Sequence, residues 1–326
     1  MEHRHLGRTG LRVSRLGLGT LTWGRDTGER DAADQLKAFW EAGGSLVDTA
    51  DVYADGGAEY LLGRVMEDLV PRCDLVIATK AGSVPDPDRR FDASRGHLLS
   101  ALDASLQRLG TDYVDLWQVH AFDPGTPMEE TLQALDIAVS SGRARYVGVS
   151  NFCGWQLAKA ASWQLAAPGR TPLSSTQMEY SLLQRGVERE VLPAALDLGV
   201  GLLPSSPLGR GVLTGKYRQG TPVDSRGGSE HMSAFVAPYL DETARLIVES
   251  LAIAADGLAV SPLHVALAWV RDRPGVAAPI LGARNAAQLT AALSVEGLTL
   301  PQEICLALDE VSAPLHRYPD HDWTTL

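Results

Sequence analysis

Lysine is scarce in this chain. Lys37, Lys80, Lys159 and Lys216 are the full complement, while arginine is abundant, a bias that fits a GC-rich bacterial genome. A lysine standing in a motif therefore asks for a reason. Cysteine numbers only three. Cys73, Cys153 and Cys305 are an odd set without CxxC spacing, which argues against a disulfide framework and for a reducing compartment. No apolar stretch approaches the ~20 residues that span a bilayer. The opening Met1-Glu2-His3-Arg4-His5 has no apolar segment behind it, so it does not read as a signal peptide, and the cytoplasm is the expected location. Positive charge is in deficit, 29 Lys+Arg against 40 Asp+Glu, for a net charge of -11. That balance disfavours nucleic acid and anionic membranes as partners, and an anionic ligand must find a local cationic pocket. No HExxH pair occurs, which argues against a metal-dependent hydrolase and for no metal. His316 and His321, beside Asp320 and Asp322, read as a loose tail rather than a metal site.

What is present is an alternation of short apolar runs with helical patterns, in a chain of 326 residues that is 45% hydrophobic. Arg15-Leu18, Leu46-Thr49, Leu75-Thr79, Tyr113-Gln118, Tyr146-Ser150, Ser174-Met178, Gly201-Pro204 and Val276-Ile280 are too short for helices. Most lack a polar face, as strands buried on both sides do. Helices are expected between them. The clearest is Ser94-Leu109, where Leu98, Leu102, Leu106 and Leu109 share one face ahead of Gly110. Asp31-Ala42, Pro127-Ser140, Trp155-Ala166 and Glu188-Leu198 follow the same pattern. Eight such units, with no Pro/Ser-rich linker to divide residues 1-326, predict one α/β domain, a closed (β/α)8 TIM barrel rather than an open doubly wound sheet. An N-terminal β-hairpin around His5-Leu11 and extra C-terminal helices at Asp241-Asp256 and Pro301-Val311 stand outside the repeat. Two long Gly/Pro-rich loops, Gly82-Ala93 and Thr214-Pro238, are expected to be functional.

Polar residues recur at the strand ends. Asp48 ends the second strand and Tyr53 follows in its loop; Lys80 ends the third strand and His120 the fourth. In a parallel barrel these ends share one face, where barrel active sites form. A phenol with an ordinary pKa near ~10 transfers protons poorly at neutral pH, and a neighbouring ammonium lowers that value. Asp48 can hold Lys80, His120 can donate to a substrate oxygen, and Tyr53 can supply the proton that a carbonyl needs when it receives a hydride. Trp23, Tyr53 and His120 are the candidate walls of the substrate pocket, with the Gly82-Ala93 loop above it.

Asp48-Thr49-Ala50-Asp51-Val52-Tyr53, Thr79-Lys80 and Gln118-Val119-His120 resemble the Asp-Tyr-Lys-His tetrad of the aldo-keto reductase superfamily. The resemblance continues through His5-Leu6-Gly7-Arg8-Thr9-Gly10-Leu11, Gly17-Leu18-Gly19-Thr20, Gly148-Val149-Ser150-Asn151-Phe152, Ser206-Pro207-Leu208-Gly209-Arg210-Gly211 and Pro279-Ile280-Leu281-Gly282-Ala283-Arg284. It is closest in style to bacterial members and potassium-channel β-subunits. It implies an NADP(H)-dependent oxidoreductase that reduces a small-molecule aldehyde or ketone. The alternative from another class is an NADP(H)-binding redox-sensing or regulatory module with little turnover.

The resemblance also implies cofactor contacts. Asp48 would lie beside the nicotinamide, and Ser150, Asn151 and Gln177 would bind its carboxamide, with Gly19 and Thr20 at the first strand end. Ser205 would lie at the nicotinamide, and Ser206, Pro207, Leu208, Gly209, Arg210 and Gly211, with Lys216 beyond, would wrap the pyrophosphate. Gly282, Arg284 and Gln288, at the start of a helix near Ala286, would take the 2′-phosphate and adenosine, which favours NADPH over NADH. Thr22 and Thr214 replace the third glycine of any GxGxxG run, in keeping with the absence of a Rossmann unit. Two positions depart from the family pattern. Ser205 stands where an aromatic residue often stacks on the nicotinamide, and Ala291-Ala292 stand where Glu-Asn often meet the adenine.

Overall fold

The computed structural model describes residues 1–84, 86 and 88–314. Its strands are β1 (His3–His5), β2 (Arg12–Ser14), β3 (Gly17–Gly19), β4 (Leu46–Asp48), β5 (Val76–Ala81), β6 (Val114–Val119), β7 (Ala144–Ser150), β8 (Leu173–Glu179), β9 (Gly201–Ser205) and β10 (Ile280–Gly282). Its helices are α1 (Glu29–Glu41), α2 (Gly57–Leu69), α3 (Arg95–Leu109), α4 (Met128–Ser140), α5 (Gly154–Leu165), α6 (Val191–Leu198), the single turn α7 (Ser233–Val236), α8 (Glu242–Gly257), α9 (Pro262–Arg271), α10 (Ala286–Leu293) and α11 (Gln302–Val311).

Strands β3 to β10 form one parallel sheet in the order β10-β3-β4-β5-β6-β7-β8-β9. The barrel closes where Leu202 of β9 bridges Val276 in parallel, with the Ala277 amide donating to the Leu202 carbonyl at 2.8 Å. The chain then crosses to the other neighbour, and Ile280 pairs with Gly17 of β3. The expected eighth strand, Val276-Ile280, is thus displaced to Ile280–Gly282. Pro279 has no amide to donate and interrupts the run between its two partners. The hairpin β1-β2 is antiparallel and plugs the opposite end. Its Leu6 and Val13 join Leu46, Ala78, Leu116, Leu203 and Ala278 in a buried cluster.

Helix α3 shows why the pattern was readable. Ser94 caps it by accepting from the His97 amide, and Gly110 ends it in a left-handed conformation. Leu98, Leu102, Leu106 and Leu109 are buried on its inner face. Helix α2 gave no such signal. Its N-terminus is preceded by left-handed Ala54, Asp55 and Gly56, and a Cβ on Gly56 would lie 2.7 Å from the Arg108 side chain. Among the described residues no single helix is long and apolar enough to cross a membrane.

Candidate active site

The C-terminal ends of the barrel strands open into one cavity of about 620 Å³. Gly19, Asp48, Ser150, Gln177, Ser205 and Gly282 line it from six of those ends, with Tyr53 and His120 beside them. Lys80 is fully buried and sits beneath the lining. Its ammonium donates to Asp48 Oδ2 at 2.7 Å and to the Thr49 carbonyl at 2.8 Å. Asp48 Oδ1 accepts from Gln177 Nε2 at 2.8 Å. The Lys80 ammonium lies 5.3 Å from the Tyr53 ring centroid, and the His120 ring stands edge-on to Tyr53 at 6.0 Å. The four groups expected to converge are therefore together.

Their electrostatics follow from burial and contact. Burial opposes the charge on Lys80, but the Asp48 carboxylate and Tyr53 outweigh it and raise the Lys80 pKa. Tyr53 differs from the expectation. Burial pushes its pKa up, and the lowering by Lys80 is countered by Asp48. The phenol therefore stays protonated at neutral pH, a proton donor rather than a phenolate. His120 is driven down to about 3 by burial and by the Lys80 charge. Its imidazole is neutral, and Nδ1 is buried with no hydrogen-bond partner.

On the other side of β5, Thr79 faces the helices, as alternation along a strand requires. Its hydroxyl donates to the buried Glu59 carboxylate, which also accepts from Arg108 Nε at 2.7 Å. Asp51 borders this group. Burial first, then the Glu59 charge, pushes its carboxyl up to about 7, and its Oδ1 is buried without a partner. Sequence reading passed over Asp51, although it stands inside the same motif as Asp48 and Tyr53.

At the far end of the cavity Lys216, Arg226 and Arg284 converge. Among the described residues none has a carboxylate within ion-pair distance. Burial lowers the Lys216 pKa, and the charges of Arg226 and Arg284 lower it further. Arg226 is lowered chiefly by burial, with Arg284 adding to it. Arg226 was not anticipated, since a lone arginine in a long loop carries no sequence signal. Ser206, Pro207, Leu208, Arg210 and Asn151 line the same groove, and Gln288 lies at the start of α10. There Gln288 Oε1 accepts the Arg284 amide at 3.1 Å.

Three expectations are corrected. Trp23 does not line the cavity: it is fully buried, and its indole donates to Gln35 of α1 at 3.3 Å. Leu21 takes its place at the wall. Thr20 is also fully buried, with its hydroxyl donating to the Asp48 carbonyl at 3.2 Å, behind the lining rather than in it. The described part of the Gly82-Ala93 loop folds back on itself through a Ser83–Phe91 bridge and contributes nothing to the cavity wall. Arg210 lines the groove, but its charge is already matched by Glu179, with Nη2 to Oε2 at 2.6 Å.

Among the described residues, the non-glycine positions with left-handed backbone, all but Ala259, sit at this mouth: Ala54, Asp55, Asn151, Ser206 and Arg210. Such strain gathers at functional sites. No group of three metal-ligating side chains occurs among the described residues. His316 and His321 lie outside the described residues.

A barrel with this plug, this buried Lys-Asp pair and this groove is matched by the profile of the Aldo/keto reductase family over residues 15–313. The chain belongs to that family of oxidoreductases. It is 38% identical to an uncharacterized oxidoreductase, YrpG, of Bacillus subtilis (strain 168), covering 95% of this chain and 96% of that one. It is 38% identical to a probable voltage-gated potassium channel subunit beta of Oryza sativa subsp. japonica, over 98% of each. It is 30% identical to versiconal hemiacetal acetate reductase of Aspergillus parasiticus, over 98% of this chain and 99% of the relative.

Proposed function

We propose that the protein reduces a small-molecule aldehyde or ketone to an alcohol with NADPH, Tyr53 serving as the general acid. One observation carries this reading. A protonated phenol backed by a buried Lys-Asp pair lies in the same cavity as three cations that have no carboxylate partner among the described residues. The residues present fit a dinucleotide. Lys216, Arg226 and Arg284 supply charge for phosphates, Arg284 and Gln288 stand at the N-terminus of α10, and Ser150, Asn151 and Gln177 offer polar groups near the tetrad. When bound, the nicotinamide supplies the hydride for the carbonyl carbon.

The chain's own residues do the rest. The Tyr53 hydroxyl transfers its proton to the carbonyl oxygen. Lys80 stabilises the phenolate left behind, and Asp48 keeps Lys80 charged and in place. Neutral His120 carries one N–H and can donate it to the substrate oxygen without adding charge. The test follows nicotinamide absorbance at 340 nm, a property of the cofactor, across aldehydes, ketosugars, quinones and pyridoxal. Oxidation of NADPH by the parent, lost in Tyr53→Phe while NADPH binding persists, is the expected result. A Tyr53→Phe variant with parental turnover would refute the assignment. The likeness to a channel β-subunit supports one rival, a dinucleotide-holding module, which predicts tight NADPH binding and no turnover on any carbonyl in the panel.

A further inference from the structure

Arg210 and Glu179 do something that the groove does not require of phosphate ligands. Arg210 sits between Gly209 and Gly211, all three with left-handed backbone. Its guanidinium forks onto Glu179 at the end of β8, Nε to Oε1 at 3.0 Å and Nη2 to Oε2 at 2.6 Å. The remaining nitrogen, Nη1, donates to the Phe235 carbonyl at 2.6 Å. The guanidinium also lies against two rings, 4.0 Å from the Phe235 centroid and 4.9 Å from that of Tyr239. The Tyr239 hydroxyl hydrogen-bonds Glu179, and burial with that carboxylate pushes the phenol up to about 12, so it remains a donor.

Phe235 and Tyr239 belong to the segment 226–239, which crosses the mouth. At its other side His231 meets Asp26 at 3.1 Å, and Arg25 donates to Met232 Sδ at 3.7 Å, both contacts in the loop after β3. Arg226 and Phe235 of this segment line the cavity. The segment is therefore a strap, held near β3 by two side-chain contacts and near β8 by Phe235 and Tyr239, which rest on the Arg210–Glu179 pair. A bidentate arginine fork is geometrically specific, and lysine cannot reproduce it.

We infer that Arg210 is a positioning residue. With Glu179 it forms a pin that holds the 226–239 strap, and with it Arg226, over a bound dinucleotide, so this pair sets how fast the cofactor leaves. The inference rests on the dinucleotide reading above. It separates from the simpler role, Arg210 as a phosphate ligand, by the sign of one variant. Glu179→Gln removes a negative charge from a groove for an anion and frees the guanidinium. A phosphate-binding Arg210 then holds NADPH more tightly, whereas a pin that has lost its anchor lets NADPH go faster.

The experiment measures NADPH release by stopped-flow fluorescence in the parent, Glu179→Gln, Arg210→Met, the double variant and the milder Tyr239→Phe. Amide hydrogen exchange over residues 229–240 is followed in each protein without nucleotide. Release faster by about tenfold in each of the first two, as expected for loss of one charge-assisted contact, supports the pin. So does a double variant no faster than either single one, with faster exchange over the strap and an unchanged kcat/KM for the carbonyl substrate. Slower or parental release in Glu179→Gln, with a parent that binds NADPH, would overturn the pin alone. A parent that binds no dinucleotide would overturn the reading beneath it, and the pin with it.

Discussion

Lys80 and Asp48 form an ion pair sealed from solvent, 2.7 Å from Nζ to Oδ2, with both side chains almost wholly covered. The carboxylate is saturated on both sides, since Gln177 takes the other oxygen. Breaking such a pair by removing one partner is strongly destabilising, because it leaves a charge buried and unmatched. Asp48→Asn should therefore lose ~3–5 kcal/mol of stability as well as turnover. Asp48→Asn/Lys80→Met removes both charges and should be more stable than Asp48→Asn, yet equally inactive. Urea midpoints for the three proteins check this. A single variant as stable as the parent would show that the pair contributes nothing to the fold.

Asp51 gives a pH signature. Its ordinary value is 3.8, and in the fold it keeps its proton up to about 7, chiefly through burial and then through Glu59. Between those values the folded state holds a proton that the unfolded chain has released, so stability falls as pH rises from about 4 to about 7. Asn at this position has the same shape and cannot ionise. Asp51→Asn should flatten that part of the stability profile and gain on the parent between pH 5 and pH 8, by up to ~4 kcal/mol for a shift of that size. Urea unfolding at pH 5 and pH 8 tests it; parallel changes in the two proteins would place Asp51 outside the linkage.

The barrel was legible because buried parallel strands are short apolar runs and their ends carry polar residues, a pattern that survives without coordinates. Asp48, Tyr53, Lys80 and His120 were legible for the same reason. Trp23 was misplaced because sequence gives its position after the first barrel strand but not the direction of its side chain, which turns inward to Gln35. The eighth strand slipped because Pro279 splits one apolar run between two partners. Arg226, Phe235 and Glu179 were illegible as a group. They lie far apart in the chain, and only the path of a long loop across the mouth brings them to one groove.

Ser205 lines the groove, and under the proposed cofactor placement an aromatic side chain there would cover the nicotinamide. An aromatic contact is worth ~0.5–1.5 kcal/mol beyond its buried area. Ser205→Tyr should thus tighten NADPH binding by a few-fold up to about tenfold, read by fluorescence titration. An unchanged or weaker Kd would mean that position 205 does not face the nicotinamide.

The cationic end of the groove should discriminate NADPH from NADH. Beyond the effect of burial, the charges of Arg226 and Arg284 lower the Lys216 pKa, and that of Arg284 lowers the Arg226 pKa, so a phosphate among the three relieves repulsion as well as forming contacts. The two dinucleotides share the pyrophosphate and differ only in the 2′-phosphate. If Arg284 meets that group, Arg284→Gln should weaken NADPH by ~1.5–3 kcal/mol, the worth of a hydrogen bond to a charged group, and leave NADH nearly unaffected. Lys216→Gln, if Lys216 meets the pyrophosphate, should weaken both. Dissociation constants for both nucleotides in the two variants decide it, measured at fixed ionic strength because exposed charges are screened by salt. Equal losses for NADPH and NADH in Arg284→Gln would move Arg284 from the 2′-phosphate to the pyrophosphate and remove the physical basis for preferring NADPH.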